Sequence, residues 1–326
     1  MVSTDFSMTC SSQANSAVII RLHSLGDVVL AQPAASALSQ HHRVVFVTAE
    51  QYEPVVARMP GDIHPAAPAR DAGPLALRKL ITGISPDLIV DLQNNIASRI
   101  ATARRQVAGR FRMDRKLRKQ VMDKRAEKMP LRSREFMQCA GFTSTQDPVL
   151  EKRGISRREG LRIGIVTGGR WYIKSIPSGV ISETSRLLSD LHSARITLLG
   201  GVEDKELILR IAQSTGRGNI DVYCGGNGIE GLIDTIETLD LLISPDSGPA
   251  HLASALNVPV LVLFTSTSPS LGFWRADRKG NYMASGVQCR PCHVHGGSSC
   301  PRNSEICRKG ILPYHLAESA MELLES

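Results

Sequence analysis

Aromatic residues are scarce in this chain: Phe, Trp and Tyr make up 4% of its 326 positions. Its cores must therefore rest on Ile, Leu, Val and Ala. No apolar run approaches the roughly 20 residues that span a bilayer, so no helical membrane span is expected. The opening MVSTDFSMTCSSQANS is polar and has no basic start followed by an apolar stretch. It reads as a frayed tail (1–16) and not as a secretory leader. The expectation is a cytoplasmic protein, whose seven cysteines serve as thiols or metal ligands and not as disulfides. Two nucleotide signatures are also missing. No Gly-x-Gly-x-x-Gly follows the first strand and no Gly-Lys-Ser/Thr occurs, so neither a dinucleotide fingerprint nor a P-loop is present.

What the chain does have is a repeated alternation. AVIIRL (17–22), RVVFVT (43–48) and DLIVDL (87–92) read as strands in the first half. LRIGIVTG (161–168), RITLLGG (195–201), DVYCGG (221–226), LDLLIS (239–244) and VPVLVLF (258–264) read as strands in the second. Helical spacing lies between them, as in VVLAQPAASALSQ. Strands alternating with helices predict an α/β fold with parallel sheets covered on both faces. The polar, Pro- and Gly-containing stretch 147–160 reads as a linker. This predicts two Rossmann-like domains, 17–150 and 151–312, with a Cys-rich loop at 286–310 and a closing helix at 313–326.

Charge is distributed unevenly. The net charge is +8, yet residues 99–134 carry 14 Lys and Arg against three acids, enough to account for the whole excess. This segment reads as a cationic surface for an anionic partner, with a generic solvated helix face as the plainer alternative. Phe111 is the only aromatic residue interleaved there. No stacking platform for bases results, and no nucleic-acid partner is expected.

Three strand-end turns carry residues suited to chemistry. In SPDSGPAHL (244–252), Gly248 lets a backbone approach closely and Ser247 offers a hydroxyl at the start of a helix. That suits a phosphate or diphosphate. Asp246 is wrong for touching the anion and suits a cap or a sugar hydroxyl; His251 could equally pack against the sheet. In RLHSLGDVV, Asp27 ends the first strand and is either a proton acceptor facing a crevice or the cap of a helix beginning near Val28. In TGGRWYIKSIP (167–177), Gly168 and Gly169 free the backbone while Arg170 and Lys174 bring positive charge. A solvated loop is the alternative there.

Taken together, VIIRLHSLGDVVLAQPAASAL, GGRWYIKSIP, LLGGVEDKE and LDLLISPDSGPAHLASALNVPVLVLFTSTSP make the chain resemble glycosyltransferase family 9, the ADP-heptose:lipopolysaccharide heptosyltransferases. The resemblance runs from residue 18 to 269. It implies the GT-B architecture, with acceptor on the N-terminal half and nucleotide sugar on the C-terminal half. It implies an inverting transfer of a heptose from ADP-heptose to a lipopolysaccharide core acceptor, with no metal needed for the chemistry. By the same resemblance Asp27 is the general base and Lys174 neutralises the diphosphate, with Arg170 nearby. Ser247 and Gly248 hold that diphosphate, Asp246 and His251 lie near the donor, Glu203 or Asp204 meets the ribose, and Thr267 adds a hydroxyl. The partners implied are an ADP-sugar donor, an anionic lipid-linked saccharide and the cytoplasmic face of the inner membrane. A GT-B transferase for another nucleotide sugar and a non-catalytic nucleotide- or RNA-binding protein are the alternatives.

One feature stands apart from these turns. CRPCHVHGGSSCPRNSEIC places Cys289, Cys292, Cys300 and Cys307 within one short loop. A Cys-x-x-Cys pair followed by two further cysteines has the spacing of a structural Zn or Fe knuckle. Four thiolates would leave no open position on such an ion, so the expected role is structural. Cys10, Cys139 and Cys224 stand outside this pattern.

Overall fold

The computed structural model describes residues 15–69, 73–156, 159–216, 219–275, 280–283 and 287–326. The expected tail up to residue 14, Cys10 within it and two positions of the expected linker lie outside these described residues.

Two parallel sheets organise the chain. The first contains β1 (Ser16–Ile20), β2 (Arg43–Val47), β3 (Ile63–Ala66), β4 (Leu88–Asp91) and β5 (Gly109–Arg110), in the order β3-β2-β1-β4-β5. The second contains β6 (Arg162–Val166), β7 (Arg195–Gly200), β8 (Ile220–Cys224), β9 (Leu241–Pro245), β10 (Val260–Phe264) and β11 (Asn281–Met283), in the order β11-β10-β9-β6-β7-β8. Within each lobe the first strand lies at the centre and the order reverses beside it, between β1 and β4 and between β6 and β9. The crevice beyond the carboxyl ends of such neighbouring strands is where open α/β sheets bind ligands.

Every strand expected from sequence is present. The three that were not expected are edge strands without a strong apolar signal. β3 is four residues long and includes Pro65, which only an edge tolerates easily. β5 has two residues and β11 three. The cores are aliphatic, as the composition requires: Ala17, Ile19, Val44 and Val90 are buried in the first lobe, and Ile163, Ile196, Ile243 and Leu261 in the second. The C-terminal helix Pro313–Glu325 buries Leu316, Ala317 and Ala320 against the second lobe. Among the described residues no helix is long and apolar enough to cross a membrane.

The lobes are joined closely. Helix Leu25–Leu30 packs on helix Gly248–Ala255 with no room between them: a Cβ on Gly26 would stand 2.7 Å from the His251 ring, and one on Gly248 2.7 Å from Leu25. One apolar cluster runs through both lobes, including Val28 and Val29 of the first and Leu252 and Ala253 of the second. The basic stretch 99–134 is not simply a solvated face. Its end docks on the second lobe, where Met129 donates its N–H to Ser270 (2.7 Å) and Arg132 to Gly272 (2.8 Å). The Arg132 side chain is buried, its guanidinium 4.5 Å from the Phe111 ring and 5.1 Å from that of Phe273.

A buried ion pair also crosses between lobes. Arg58 donates to Asp234 (2.7 Å) and Glu237 (3.2 Å). Glu237 additionally accepts the linker N–H groups of Gly154 (2.7 Å) and Ile155 (3.3 Å). Its side chain is 3% exposed, and loss of its charge leaves Asp234 as the carboxylate on the buried guanidinium. E237Q is therefore expected to cost about 2 kcal/mol, the scale of a hydrogen bond to a charged group. Urea denaturation of the two proteins measures this, and an equal midpoint and slope would show that the pair contributes nothing.

Candidate active site

The loops after β1, β6 and β9 converge on one cleft. Asp27, Lys174, Asp246, Ser247, Gly248 and His251 all line a cavity of about 100 Å³ between the lobes. Asp27 sits in the first turn of helix Leu25–Leu30, whose N-cap position is Ser24, so Asp27 is not the cap. Its Oδ2 is held by the Arg21 guanidinium and by the Ser24 hydroxyl at 3.1 Å. Among the described residues its Oδ1 carries no hydrogen bond, which leaves one oxygen of a fixed carboxylate able to accept a proton.

On the facing lobe, Lys174 lies in the short turn Tyr172–Lys174 and its Nζ stands 3.3 Å from Asp246 Oδ2. Thr267 donates its hydroxyl to the same oxygen at 2.8 Å. Asp246 is thus not the cap of the following helix; its Oδ2 holds Lys174 and Thr267 while the residue lines the shared cavity. Thr267 is fully buried and acts through Asp246. Burial by itself would lift the Asp246 pKa, but Lys174, then His251 and the Thr267 hydroxyl, outweigh it and hold the carboxyl below its ordinary 3.8. His251 is buried beneath Gly26 with its ring 5.6 Å from Trp274.

A second cavity, about 450 Å³, opens on the other side of Ser247. Ser247 lines both cavities and begins helix Gly248–Ala255, so the free amides of that helix lie at the junction. The walls of the larger cavity are apolar, formed by Val166, Leu199, Tyr223, Ile229 and Leu232. Its floor is the glycine backbone at 168, 169, 200 and 201. A flat heterocycle fits an apolar slot of this kind, with the helix amides at its end suited to phosphate. Glu203 and Asp204 both line it. The Asp204 carboxylate is engaged with the Gly201 N–H (3.0 Å) and fills the space beside Gly168, where a Cβ would come within 1.8 Å of it. Glu203 is exposed where it lines this cavity.

Arg170 is not brought into this site. It is exposed, its guanidinium 4.9 Å from the Trp171 ring, and it lines neither cavity. Arg21, Phe273, Tyr223 and His295 belong to the site but were not singled out from sequence. Arg21 had a readable signal, a cation at the end of the first strand six residues before Asp27. His295 had none, because the turn containing it resembles a metal loop more than a substrate wall.

The Cys-rich loop lies against this cleft. Cys289, Cys292, Cys300 and Cys307 are free thiols. Burial, then the neighbouring Cys289, Cys307 and Cys300, pushes the Cys292 thiol up to about 11. Among the described residues no group of three or more His, Cys, Asp or Glu side chains closes on a position that could hold an ion.

Two Rossmann-like lobes with a carboxylate from one facing a lysine and a helix N-terminus from the other define a GT-B-type fold. The family model for glycosyltransferase family 9 (heptosyltransferase) matches residues 133–299, and the chain belongs to that family. A lipooligosaccharide heptosyltransferase 2 of Campylobacter jejuni is 30% identical over 133 residues, which is 39% of this chain. That match spans 39% of the relative's own length. The ADP-heptose lps heptosyltransferase II of E. coli superposes with a TM-score of 0.74 at 16% identity, over 95% of this chain and 98% of that one. A family 9 glycosyl transferase from Veillonella parvula gives 0.75 at 16% identity, over 96% and 98%.

The Thr267 hydroxyl is the simplest contact to remove without changing shape. T267V is expected to cost about 2 kcal/mol at neutral pH, the scale of a hydrogen bond to a charged group. Because the Asp246 pKa is depressed, the carboxylate's contribution is complete above its ordinary 3.8 and is lost as pH falls through the lower native value. Denaturation of both proteins at neutral and at acid pH reads this; a constant difference at every pH would place the cost elsewhere.

Proposed function

We propose that the protein is an inverting glycosyltransferase that moves a heptose from ADP-heptose to a saccharide hydroxyl of a lipopolysaccharide core acceptor. The observation that carries this reading is the shared cavity of Asp27 and Lys174, one group from each lobe, joined through Ser247 to an apolar slot with a carboxylate at its rim.

In this reading adenine occupies the slot between Tyr223 and the glycine backbone, and Glu203 accepts from the ribose. The diphosphate lies across Ser247 and Gly248, where helix amides and Lys174 meet its charge. The acceptor oxygen attacks the anomeric carbon from the Asp27 side as the bond from that carbon to the diphosphate oxygen breaks. Asp27 Oδ1 takes the hydroxyl proton, and ADP leaves with the bonding pair. Negative charge grows on the leaving group in the transition state, so a lysine already oriented by Asp246 stabilises it without reorganisation. Arg21 fixes the base, and packing of the two lobes keeps water from the donor.

D27N is expected to lower turnover by about 10³-fold, on the scale of a general base, while leaving ADP affinity unchanged. K174A is expected to weaken ADP binding by roughly 10-fold or more, as a charge-assisted contact is lost. Release of ADP, UDP or GDP from candidate donors with a lipid-linked acceptor, together with calorimetric titration of ADP, tests both. Full turnover by D27N would reject the assignment of the base.

The four cysteines of the loop are proposed to hold a structural Zn or Fe ion, on the chemistry of the donor set: four thiols from one short segment, near enough to act on one another's charge, which would have to draw together around the ion. Such an ion would fix the loop and take no part in transfer. Protein purified without chelator is expected to carry about one Zn or Fe per chain by elemental analysis. Metal-free protein with an unchanged melting curve would reject the site.

A further inference from the structure

The Cys-rich loop also forms part of the cleft. Val294 and His295 line the same cavity as Asp27 and Lys174. The loop is seated there by its backbone. Cys292 and His293 both donate to the Ser266 carbonyl (3.0 and 3.2 Å), and Ile173, next to Lys174, donates to Gly297 (3.1 Å). Gly296 lies flat against the lysine stem: its φ is +105°, and a Cβ there would stand 2.6 Å from Lys174 Cδ and 2.7 Å from Trp171 Cβ. That combination admits only glycine without displacement. The His295 ring then rests 5.4 Å from the Phe273 ring, whose other neighbour is the buried Arg132 guanidinium. His295 itself is exposed to the cleft.

We infer that His295 is a sugar-binding residue, placed by the Cys-rich loop to hydrogen-bond a hydroxyl of the transferred sugar between Asp27 and the diphosphate. This rests on the transferase reading above and adds to it the residue that recognises the sugar part of the donor. The surrounding charges suit the role. Desolvation lowers the imidazole pKa; Asp27 opposes that, and Lys174, Arg118 and Arg132 reinforce it. A neutral imidazole offers one donor and one acceptor, which matches a hydroxyl that both gives and takes a hydrogen bond. The phosphates are already served by Lys174 and the helix amides, so a neutral group beside them discriminates sugar from phosphate.

The test compares wild type, H295A and H295Q in calorimetric titrations with ADP and with ADP-heptose, alongside steady-state transfer. H295A is expected to bind ADP as wild type does and to bind ADP-heptose about 10-fold more weakly, the scale of one neutral hydrogen bond. H295Q, which keeps a donor and an acceptor, is expected to recover part of that loss. Equal ADP-heptose constants in all three proteins, with turnover intact, would overturn the inference alone. A parallel loss of ADP and ADP-heptose affinity in H295A would also overturn it, since that marks a structural role. Wild-type protein that binds neither ligand would overturn the transferase reading and this inference with it.

Discussion

The contact between helix Leu25–Leu30 and helix Gly248–Ala255 is the constraint on which the site depends. Each helix follows a central strand of its lobe, and each brings a glycine to the crossing. At both glycines a side chain would strike the opposite lobe at 2.7 Å, well inside ordinary contact. Interiors packed at crystal density transmit such a displacement and do not absorb it. Asp27 is the residue after Gly26, and Ser247 the residue before Gly248. The register of this one crossing therefore sets where a carboxylate of the first lobe stands relative to the helix N-terminus of the second.

Electrostatics follow from that placement. Asp27 is ion-paired to Arg21, while Lys174 is paired to Asp246 across 3.3 Å. Arg132 and Arg118 stand close enough to act on the cleft groups. The excess in the cleft is cationic, so an anionic ligand completes it. Pairing Lys174 with a buried carboxylate reduces its net charge, which runs against the phosphate-binding role proposed for it. The gain is orientation. A flexible four-carbon stem would otherwise sample many rotamers, and the combination of Asp246, the Thr267 hydroxyl and the Gly296 backbone leaves it few.

Much of this was readable from sequence, and the parts that were not have physical causes. β1, β4 and β6 to β10 carry apolar runs flanked by Gly, Asp or Asn, and β2 a run rich in β-branched residues, so the sequence pattern finds them. β3, β5 and β11 are short edges whose pairing is decided by their neighbours and not by their own composition. Asp27, Lys174, Ser247 and Gly248 stand in strand-end turns, where sequence and site coincide, and they do share one cavity. Asp246 and Thr267 are expected at the donor, and tertiary packing pairs them with each other and with Lys174, a pairing that no local sequence pattern carries. Arg170 was expected beside the diphosphate because of its charge, yet Trp171 supplies a closer face for its guanidinium. Arg132 belongs to the stretch read as a cationic surface for an anionic partner, and only the meeting of Phe111 from one lobe with Phe273 from the other explains why it is buried.

The ties between the lobes bear on how a donor would enter. Arg58 with Glu237, Arg132 over Phe273 and the apolar cluster running through both lobes are all buried. Separating the lobes fully would expose this apolar surface and break hydrogen bonds made to charged groups, each costing about 1.5–3 kcal/mol. The groups at the rims are different: Glu203 and His295 are exposed, and neither is locked by an ion pair among the described residues. A nucleotide sugar can therefore be admitted at the rims while the central helix crossing stays intact. That division suits the proposed transfer, because Asp27 and Lys174 keep their spacing while Glu203 and His295, the groups proposed to meet ribose and sugar, stay open to the cleft.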